Sequence, residues 1–497
     1  MIGVTLVCMD AHTTTREQLD APSLFIGGEW VEPSSSARIE VRSASSEERI
    51  GSVPEAQEAD VDAAVAAARR AFEDPSGWSR WEPSKRADAI DRLADEYEKR
   101  GDQLARLVAA QNGMPISIAE QLEGGFPVAV MRYFSGLART AQFEESHPHL
   151  MGGTTTVRRE PIGVVGAIAP WNFPQTLAAF KYAPALAAGC TVVLKPSPET
   201  VLDSVVLAEA IIAAGLPPGV INIVPGGREI GAHLVSHRGI DKVAFTGSTA
   251  AGRSIAETCG RLLRPVTLEL GGKSASIILD DANLDLAEIG ENLFGATFLN
   301  NGQTCFLGTR VLAPRSRYDE VVGMMEAFAN SLAVGDALDP ATQIGPMASE
   351  RQRDRVEGYI AKGSGDGARL VTGGGRPADL DRGWFVQPTI FADVDNNHTI
   401  AQEEIFGPVL SIIPYGDEAE AISIANDSDF GLGGSVWTAD DERGFDVAKR
   451  IHTGTIGINH YMVDPSSPFG GVKDSGIGRE LGPDAIGNFQ HVKSIYR

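Results

Sequence analysis

The chain has 497 residues, 43% of them hydrophobic, with 55 glycines, 28 prolines and a formal net charge of −23. This length predicts two or three domains joined by many short loops. So acidic a balance, with no basic stretch to offset it, argues against binding DNA, RNA or an anionic membrane.

Four cysteines, Cys8, Cys190, Cys259 and Cys305, are scattered without a spacing pattern. They read as reduced thiols of a cytoplasmic protein rather than as a disulfide framework, and no metal site is expected. The opening ten residues, MIGVTLVCMD, lack a basic region and a long apolar stretch, so they make a poor signal peptide. No run approaches 18 apolar residues, and no membrane span is expected.

Residues 1–24 read as a loose, flexible N-terminal arm. Phe25 to Val31 alternates around a Gly-Gly turn and predicts paired strands. Asp60 is expected to cap a helix in which Val61, Ala64, Val65, Ala68 and Phe72 recur every three or four residues. Pro83 suits the first turn of a second helix, with Ile90, Leu93, Ala94 and Tyr97 as its stripe.

From residue 161 the pattern changes. Strands are expected at Ile162–Ile168, Thr191–Leu194, Val220–Val224, Lys242–Thr246 and Val266–Leu270, with helices at 201–214 and 249–260 between them. Such β–helix–β units predict a mostly parallel sheet covered by helices, with ligands bound at the strand ends. A second α/β region follows Gly271. Its strands are expected at Ser274–Leu279, Gly308–Leu312, Phe385–Ile390 and Val409–Pro414, and its helices near 281–298, 316–333 and 348–362. The chain ends in glycine-rich loops and a short segment, Gln490–Arg497.

The chemistry concentrates in a few places. Cys305 follows Asn301-Gly302-Gln303-Thr304, a polar, turn-like approach that suggests an accessible bend rather than core filling. Glu269, 36 residues earlier, precedes Leu270-Gly271-Gly272. A thiol and a carboxylate are the minimum for a covalent sulfur intermediate later cleared by water. Lys242 to Arg253 reads as strand, glycine turn and helix start, where Ser248 can meet a phosphate, although Gly-Ser-Thr is also a common helix cap. Lys195 ends a strand, placed for a ribose hydroxyl or simply for solvent. Asn172 lies between Pro170 and Pro174 and is either an oxyanion donor or a structural turn. Phe173, Leu177 and Phe180 share one helical face that can line core or an apolar channel. Glu403-Glu404 alone reads as surface. His460 has no evident carboxylate partner in sequence and is left without a catalytic role.

The motifs PWNFP (170–174), KPSPET (195–200), FTGST (245–249), ELGGK (269–273), GQTC (302–305), EEIFGP (403–408) and PFGGVKDSGIGRE (468–480) occur in the order and spacing of one family. From about residue 25 onward the chain resembles the NAD(P)-dependent aldehyde dehydrogenases of the hydrolytic, non-CoA-acylating kind. The resemblance implies an α/β fold. A Rossmann-type NAD-binding domain would occupy 25–145 and 160–271, an α/β catalytic domain 272–481, and a β oligomerisation arm 146–159 with 482–497. The expected assembly is a homodimer or homotetramer.

By the same resemblance Cys305 is the nucleophile and Asn172 an oxyanion donor. Glu269 is the base for deacylation, and Lys181 supports the acid–base network. Cofactor contacts fall on Ile168, Ala169, Pro170, Trp171, Lys195, Ser197, Pro198, Glu199, Phe245, Thr246, Gly247, Ser248, Glu269, Leu270, Gly271, Glu404 and Phe406. The substrate channel is expected along Phe173, Leu177, Phe180 and Phe306, for an aliphatic, aromatic or terpenoid aldehyde. Many NAD-preferring relatives carry Glu three residues after the ribose lysine. Here Pro198 stands there and Glu199 follows. NAD is the expected cofactor, and NADP stays open. Three alternatives remain: CoA-acylating chemistry, which Glu269 disfavours; a catalytically inactive structural or binding protein on the same scaffold; and ester hydrolysis by the same thiol.

Overall fold

The computed structural model describes residues 18–497. Most of residues 1–24, including Cys8, therefore lies outside the described residues. The expectation of a loose segment does not hold for 18–24: Leu19–Asp20 pairs in parallel with Gly51–Ser52, and Leu24–Ile26 is a buried strand.

Two α/β sheets dominate. The first has eight strands. Its five central ones are parallel, in the spatial order Val266–Glu269, Lys242–Thr246, Val164–Ile168, Thr191–Lys195, Ile221–Ile223. The chain starts in the middle at Val164–Ile168, builds outward to one side, then returns to build the other. The strand order thus reverses beside Val164–Ile168, and that reversal opens a crevice at the carboxyl ends. Every residue of Val164–Ile168, Thr191–Lys195 and Lys242–Thr246 is buried, as both-faced cover by helices requires.

The second sheet runs Arg369–Thr372, Thr389–Ala392, Val409–Tyr415, Arg310–Pro314, Ala275–Ile278, Gly434–Trp437, Gly457–Ile458, all parallel except the first pair. The strand expected at Phe385–Ile390 is displaced to Thr389–Ala392. Pro388, with no N–H to donate, precedes it, and Thr389 opens the pairing with Val409. A separate three-stranded antiparallel sheet joins Glu144–Pro148, Thr154–Pro161 and Gln490–Tyr496. It starts two residues before the expected arm and runs two beyond its first segment.

Local chemistry explains the helix starts. Gln57, not Asp60, is the first cap. Asp60 sits at the third helical position, and its carboxylate accepts from the Gln57 backbone N–H at 2.8 Å. Pro83 does open the second helix, Pro83–Glu98. The helix Pro174–Ala188 is buried along its whole length, so it is a central strut and not an amphipathic cover. Its first N–H groups are satisfied from a distance: buried Glu123 accepts from the Gln175 N–H at 2.8 Å. No helix of the described residues is long and apolar enough to cross a membrane.

Candidate active site

Two motifs and the loop before Cys305 meet above the crevice. The approach to Cys305 is a run of left-handed backbone: φ is +50° at Asn300, +60° at Asn301 and +76° at Gly302. Two asparagines tolerate this conformation better than most residues. They also fasten it. Asn301 Nδ2 donates to the carbonyls of Gly113 and Pro346 at 2.8 and 2.9 Å, and its Oδ1 accepts from the Gly345 N–H at 2.7 Å. Asn300 Nδ2 donates to the Asn172 carbonyl at 2.9 Å. The expected accessible bend is therefore only half correct. Asn301 to Thr304 are buried, and Cys305 alone is half-exposed. The polar residues are scaffold, and the thiol is the part presented.

Asn172 does not bond its own backbone. Its Nδ2 donates to the Gln303 carbonyl at 3.0 Å, two residues before Cys305. One amide hydrogen fixes the side chain and the second is left for another acceptor. Its carbonyl is held from two sides, by Asn300 and by Asn112 Nδ2 at 3.2 Å.

The segment Glu269–Gly272 runs alongside. A Cβ on Gly272 would lie 2.3 Å from the Cys305 carbonyl oxygen, and one on Gly271 would lie 2.6 Å from Glu404 Oε2. Only glycines let the two loops approach this closely. Glu269 is 2% exposed, and neither carboxylate oxygen has a hydrogen-bond partner of normal geometry among the described residues, although the Gly471 N–H favours the charged form slightly. Burial, and then the negative Glu480, push its pKa well above the ordinary carboxylate value; Lys181 and Arg479 oppose this more weakly. Lys181 Nζ is fully buried and donates to Thr246 Oγ1 at 2.5 Å and to Glu480 Oε1 at 2.8 Å. Burial, then the charges of Glu404 and Glu269, also raise the Cys305 thiol far above its usual value. At neutral pH the resting group is thus the thiol, and it needs a base or an added positive charge to react.

The crevice edge carries the other expected residues. Lys195 is buried, not solvated: Nζ donates to the carbonyls of Pro196 and Gly226 at 2.8 and 2.6 Å, and burial lowers its pKa to about 8. Ile168, Ala169 and Pro170 leave the central strand, and Trp171 meets Phe406 edge to face at 5.2 Å. Phe245, Thr246 and Gly247 end the next strand. Ser248 then caps Thr249–Arg261, its Oγ accepting from the Ala251 N–H at 3.3 Å. Ser248 is exposed, so the cap and an anion site are compatible readings of one residue. Glu404 is partly buried and accepts from the Gly272 N–H at 3.0 Å, whereas Glu403 is exposed. Phe406 has φ +63°. The helix Glu350–Gly365 holds this loop: Gln352 Nε2 donates to the Phe406 carbonyl at 2.7 Å and Arg355 Nη2 to the Glu404 carbonyl at 2.6 Å.

These groups fit a dinucleotide. A helix start offers amides to phosphate, an ammonium and a carboxylate face the crevice for hydroxyls, and Gly271 leaves the backbone bare beside Glu404. Among the described residues no cluster of His, Cys, Asp and Glu is arranged to hold a metal.

Phe173, Leu177, Phe180 and Phe306 are all buried. Phe180 packs edge-on against Phe126 and Phe469, and Phe306 stacks on Tyr461 at 4.4 Å. Sequence reasoning missed Phe126, Phe469 and Tyr461, because nothing local marks them as ring partners of Phe180 and Phe306. It also missed Gln352 and Arg355, which read as ordinary polar positions of a surface helix. His460 is exposed and engages only the Ile458 carbonyl among the described residues.

Comparison with known proteins agrees with this geometry. The model of the aldehyde dehydrogenase family matches residues 30–495. The chain is 59% identical over 478 residues to geranial dehydrogenase from Castellaniella defragrans, covering 96% of this chain and 99% of that protein. It superposes on an aldehyde dehydrogenase from Mycobacterium tuberculosis complexed with NAD+, with a TM-score of 0.94 and 52% identity over 97% of this chain and 99% of that one. Aldehyde dehydrogenase C from Pseudomonas syringae, a cysteine-to-alanine mutant complexed with NAD+ and octanal, gives a TM-score of 0.92 and 39% identity over 97% and 99%. Matched by the family model over residues 30–495 and by these relatives over nearly their whole lengths, the chain belongs to the aldehyde dehydrogenase family.

Proposed function

We propose that this protein oxidises an apolar, terpenoid-like aldehyde to its carboxylic acid, using NAD+ and a covalent intermediate on Cys305. The observation that carries the chemistry is the half-exposed Cys305 thiol, two residues after the Gln303 carbonyl that holds the Asn172 amide and within the electrostatic reach of buried Glu269.

The Cys305 thiol first releases its proton to solvent; Sγ then bonds to the aldehyde carbon, and the carbonyl π electrons move to oxygen. The free Asn172 amide hydrogen and the Cys305 backbone N–H stabilise that oxyanion. NAD+, when bound, supplies a two-electron acceptor for the hydride that leaves this carbon. Lys195, Ser248 and Glu404 would hold the dinucleotide by its hydroxyls and phosphates, with Ile168–Trp171, Ser197–Glu199, Phe245–Gly247, Leu270, Gly271 and Phe406 around it. The acyl group then remains on Cys305 as a thioester. Glu269 takes a proton from water, the resulting hydroxide adds to the acyl carbon, and the C–S bond breaks to free the acid and the thiolate. Lys181 with Glu480 gives a buried charged pair that sets the potential around Glu269. An acid suited to activating water supports hydrolysis over transfer to CoA.

The substrate reading rests on the buried, touching rings of Phe180, Phe469 and Phe306, the last next in sequence to Cys305, and on the similarity to geranial dehydrogenase. The three-stranded arm sheet favours a homo-oligomer, and the three free cysteines Cys190, Cys259 and Cys305 suit a cytoplasmic enzyme. Absorbance at 340 nm tests the reading directly. Geranial, octanal and benzaldehyde with NAD+ are expected to exceed betaine aldehyde and succinic semialdehyde in kcat/KM by about tenfold or more. A clear preference for either charged aldehyde overturns the substrate class, and no NADH from any of them overturns the activity.

A further inference from the structure

We propose that Glu123 is a positioning residue for the oxyanion donor Asn172, holding the start of the helix that follows it. The inference rests on the proposed function and concerns its first half-reaction.

The helix Pro174–Ala188 begins two residues after Asn172, so a shift of its first turn carries the amide with it. That turn cannot cap itself. Phe173, at the cap, has no side-chain acceptor, and Pro174 has no N–H. The Leu177 N–H reaches the Phe173 carbonyl at 2.9 Å, which leaves the N–H groups of Gln175 and Thr176. Both go to Glu123: Gln175 donates to Oε2 at 2.8 Å and Thr176 to Oε1 at 3.4 Å. Glu123 is fully buried, so water does not compete for these two donors.

The segment that delivers Glu123 departs from the regular helix on either side. Glu120–Gly125 is a π-helical turn between Ile116–Ala119 and Phe126–Thr140. Side chains tie it down: Thr176 Oγ1 donates to the Leu122 carbonyl, and the Tyr97 hydroxyl donates to the Glu123 carbonyl at 2.6 Å. The turn also presses on the start of Gly101–Asn112, where a Cβ on Gly124 would lie 3.0 Å from the Gly101 carbonyl oxygen. The far end of that helix is Asn112, whose Nδ2 donates to the Trp171 and Asn172 carbonyls at 2.6 and 3.2 Å. Asn172 is therefore held at its own carbonyl by Asn112 and through its helix by Glu123, and both supports meet at one π-helical turn. An oxyanion donor works only when aimed at the atom where charge develops, and a misplacement of about 1 Å costs about 100-fold. Without Glu123 two buried N–H groups lose their acceptor, and the helix start must move to find another. The role needs an acceptor at this place rather than a charge.

The test is single-turnover formation of NADH by the full-length protein, in excess over octanal and saturated with NAD+. The proteins compared are the wild type, Glu123→Ala, Glu123→Gln, Asn172→Ala and Glu123→Ala/Asn172→Ala. Glu123→Ala should slow the turnover by about tenfold, and Glu123→Gln, which keeps an acceptor, should return it to within about threefold of wild type. In the Asn172→Ala background Glu123→Ala should cost less than about twofold, because the residue it positions is already gone. Kd for NAD+ should stay within about threefold, and circular dichroism with Tm checks that the variants fold. The same tenfold loss repeated in the Asn172→Ala background would mean a general structural role and overturns the inference, as does a Glu123→Ala protein of wild-type rate. Should Glu123→Ala fail to fold, Glu123→Asp, which draws the carboxylate back by one methylene, takes its place in the same cycle, with a slowing of about threefold expected and the same two outcomes against it. A folded wild type that forms no NADH overturns the dehydrogenase reading instead.

Discussion

Cys305 is one of three described cysteines, and its surroundings separate it from the others. Cys190 and Cys259 are buried, and Cys190 Sγ donates to the Phe489 carbonyl at 3.3 Å. Cys305→Ala should lower kcat by about 10⁴-fold or more while Kd for NAD+ stays within a few-fold, measured by NADH release and by fluorescence titration. Cys190→Ala and Cys259→Ala should lose stability before activity. Glu269 acts in the second half-reaction. Glu269→Gln should still release a burst of NADH and then stall, with steady-state turnover down by about 100-fold or more and an acyl adduct visible by intact mass. A normal steady rate without the adduct would remove Glu269 from the mechanism. The sign of the pH dependence follows from its environment. The base form exists only above a pKa that burial and Glu480 raise well beyond 4.5, so deacylation should weaken as pH falls through that raised value. Glu480→Gln removes the like charge, and the acid limb of kcat should move to lower pH. An unmoved limb would mean that another group sets it.

At the scale of elements, the site depends on loops that touch only because side chains are missing. A Gly272→Ala methyl would fall 2.3 Å from the Cys305 carbonyl oxygen, which belongs to the backbone and cannot swing aside. The thiol loop must shift instead, and about 100-fold in kcat/KM should go with it even where Tm barely changes. Wild-type kcat/KM in this variant would show that the loop tolerates displacement. This closeness also marks how far a sequence can be read. The parallel strands were legible because burial on both faces leaves continuous apolar runs, and Lys242–Thr246 fell where expected. Glu269, Asn172 and Cys305 were legible as motifs. What they touch was not: Asn301 reads as a turn residue, yet it bridges Gly113, Gly345 and Pro346, contacts that only the assembled chain creates. The burial of Lys195 is not legible in sequence, because a lysine at a strand end is buried only through partners such as the Gly226 carbonyl, supplied by the next strand's loop. Asp60 was misplaced as a cap for a smaller reason. The capping box places an acid at the third helical position as well as an acceptor at the cap, and one acid alone does not say which it is.

Across the whole molecule, the arm sheet is the part least explained by a single chain. Its order places Thr154–Pro161 in the middle, with Gln490–Tyr496 and Glu144–Pro148 as open edges. Six of the seven residues of Gln490–Tyr496 are exposed, including Val492 at 68% and Tyr496 at 70%. The hairpin tip presents Leu150 and Met151 to solvent as well. Open edges with apolar side chains attract another strand, and a lone chain gains nothing by displaying them. A second copy can cover such edges by a symmetric contact, which also closes the assembly. Light scattering at micromolar concentration should therefore give at least twice the 52.7 kDa of one chain. Substituting Val492→Arg and Tyr496→Asp places unlike charges on the exposed strand, where they desolvate poorly on burial, and should shift the population toward a smaller species. The catalytic loops lie on other elements, so circular dichroism of the smaller species should retain the native spectrum. A monomeric wild type would leave the arm as a solvent-facing sheet and would remove assembly from the functional reading.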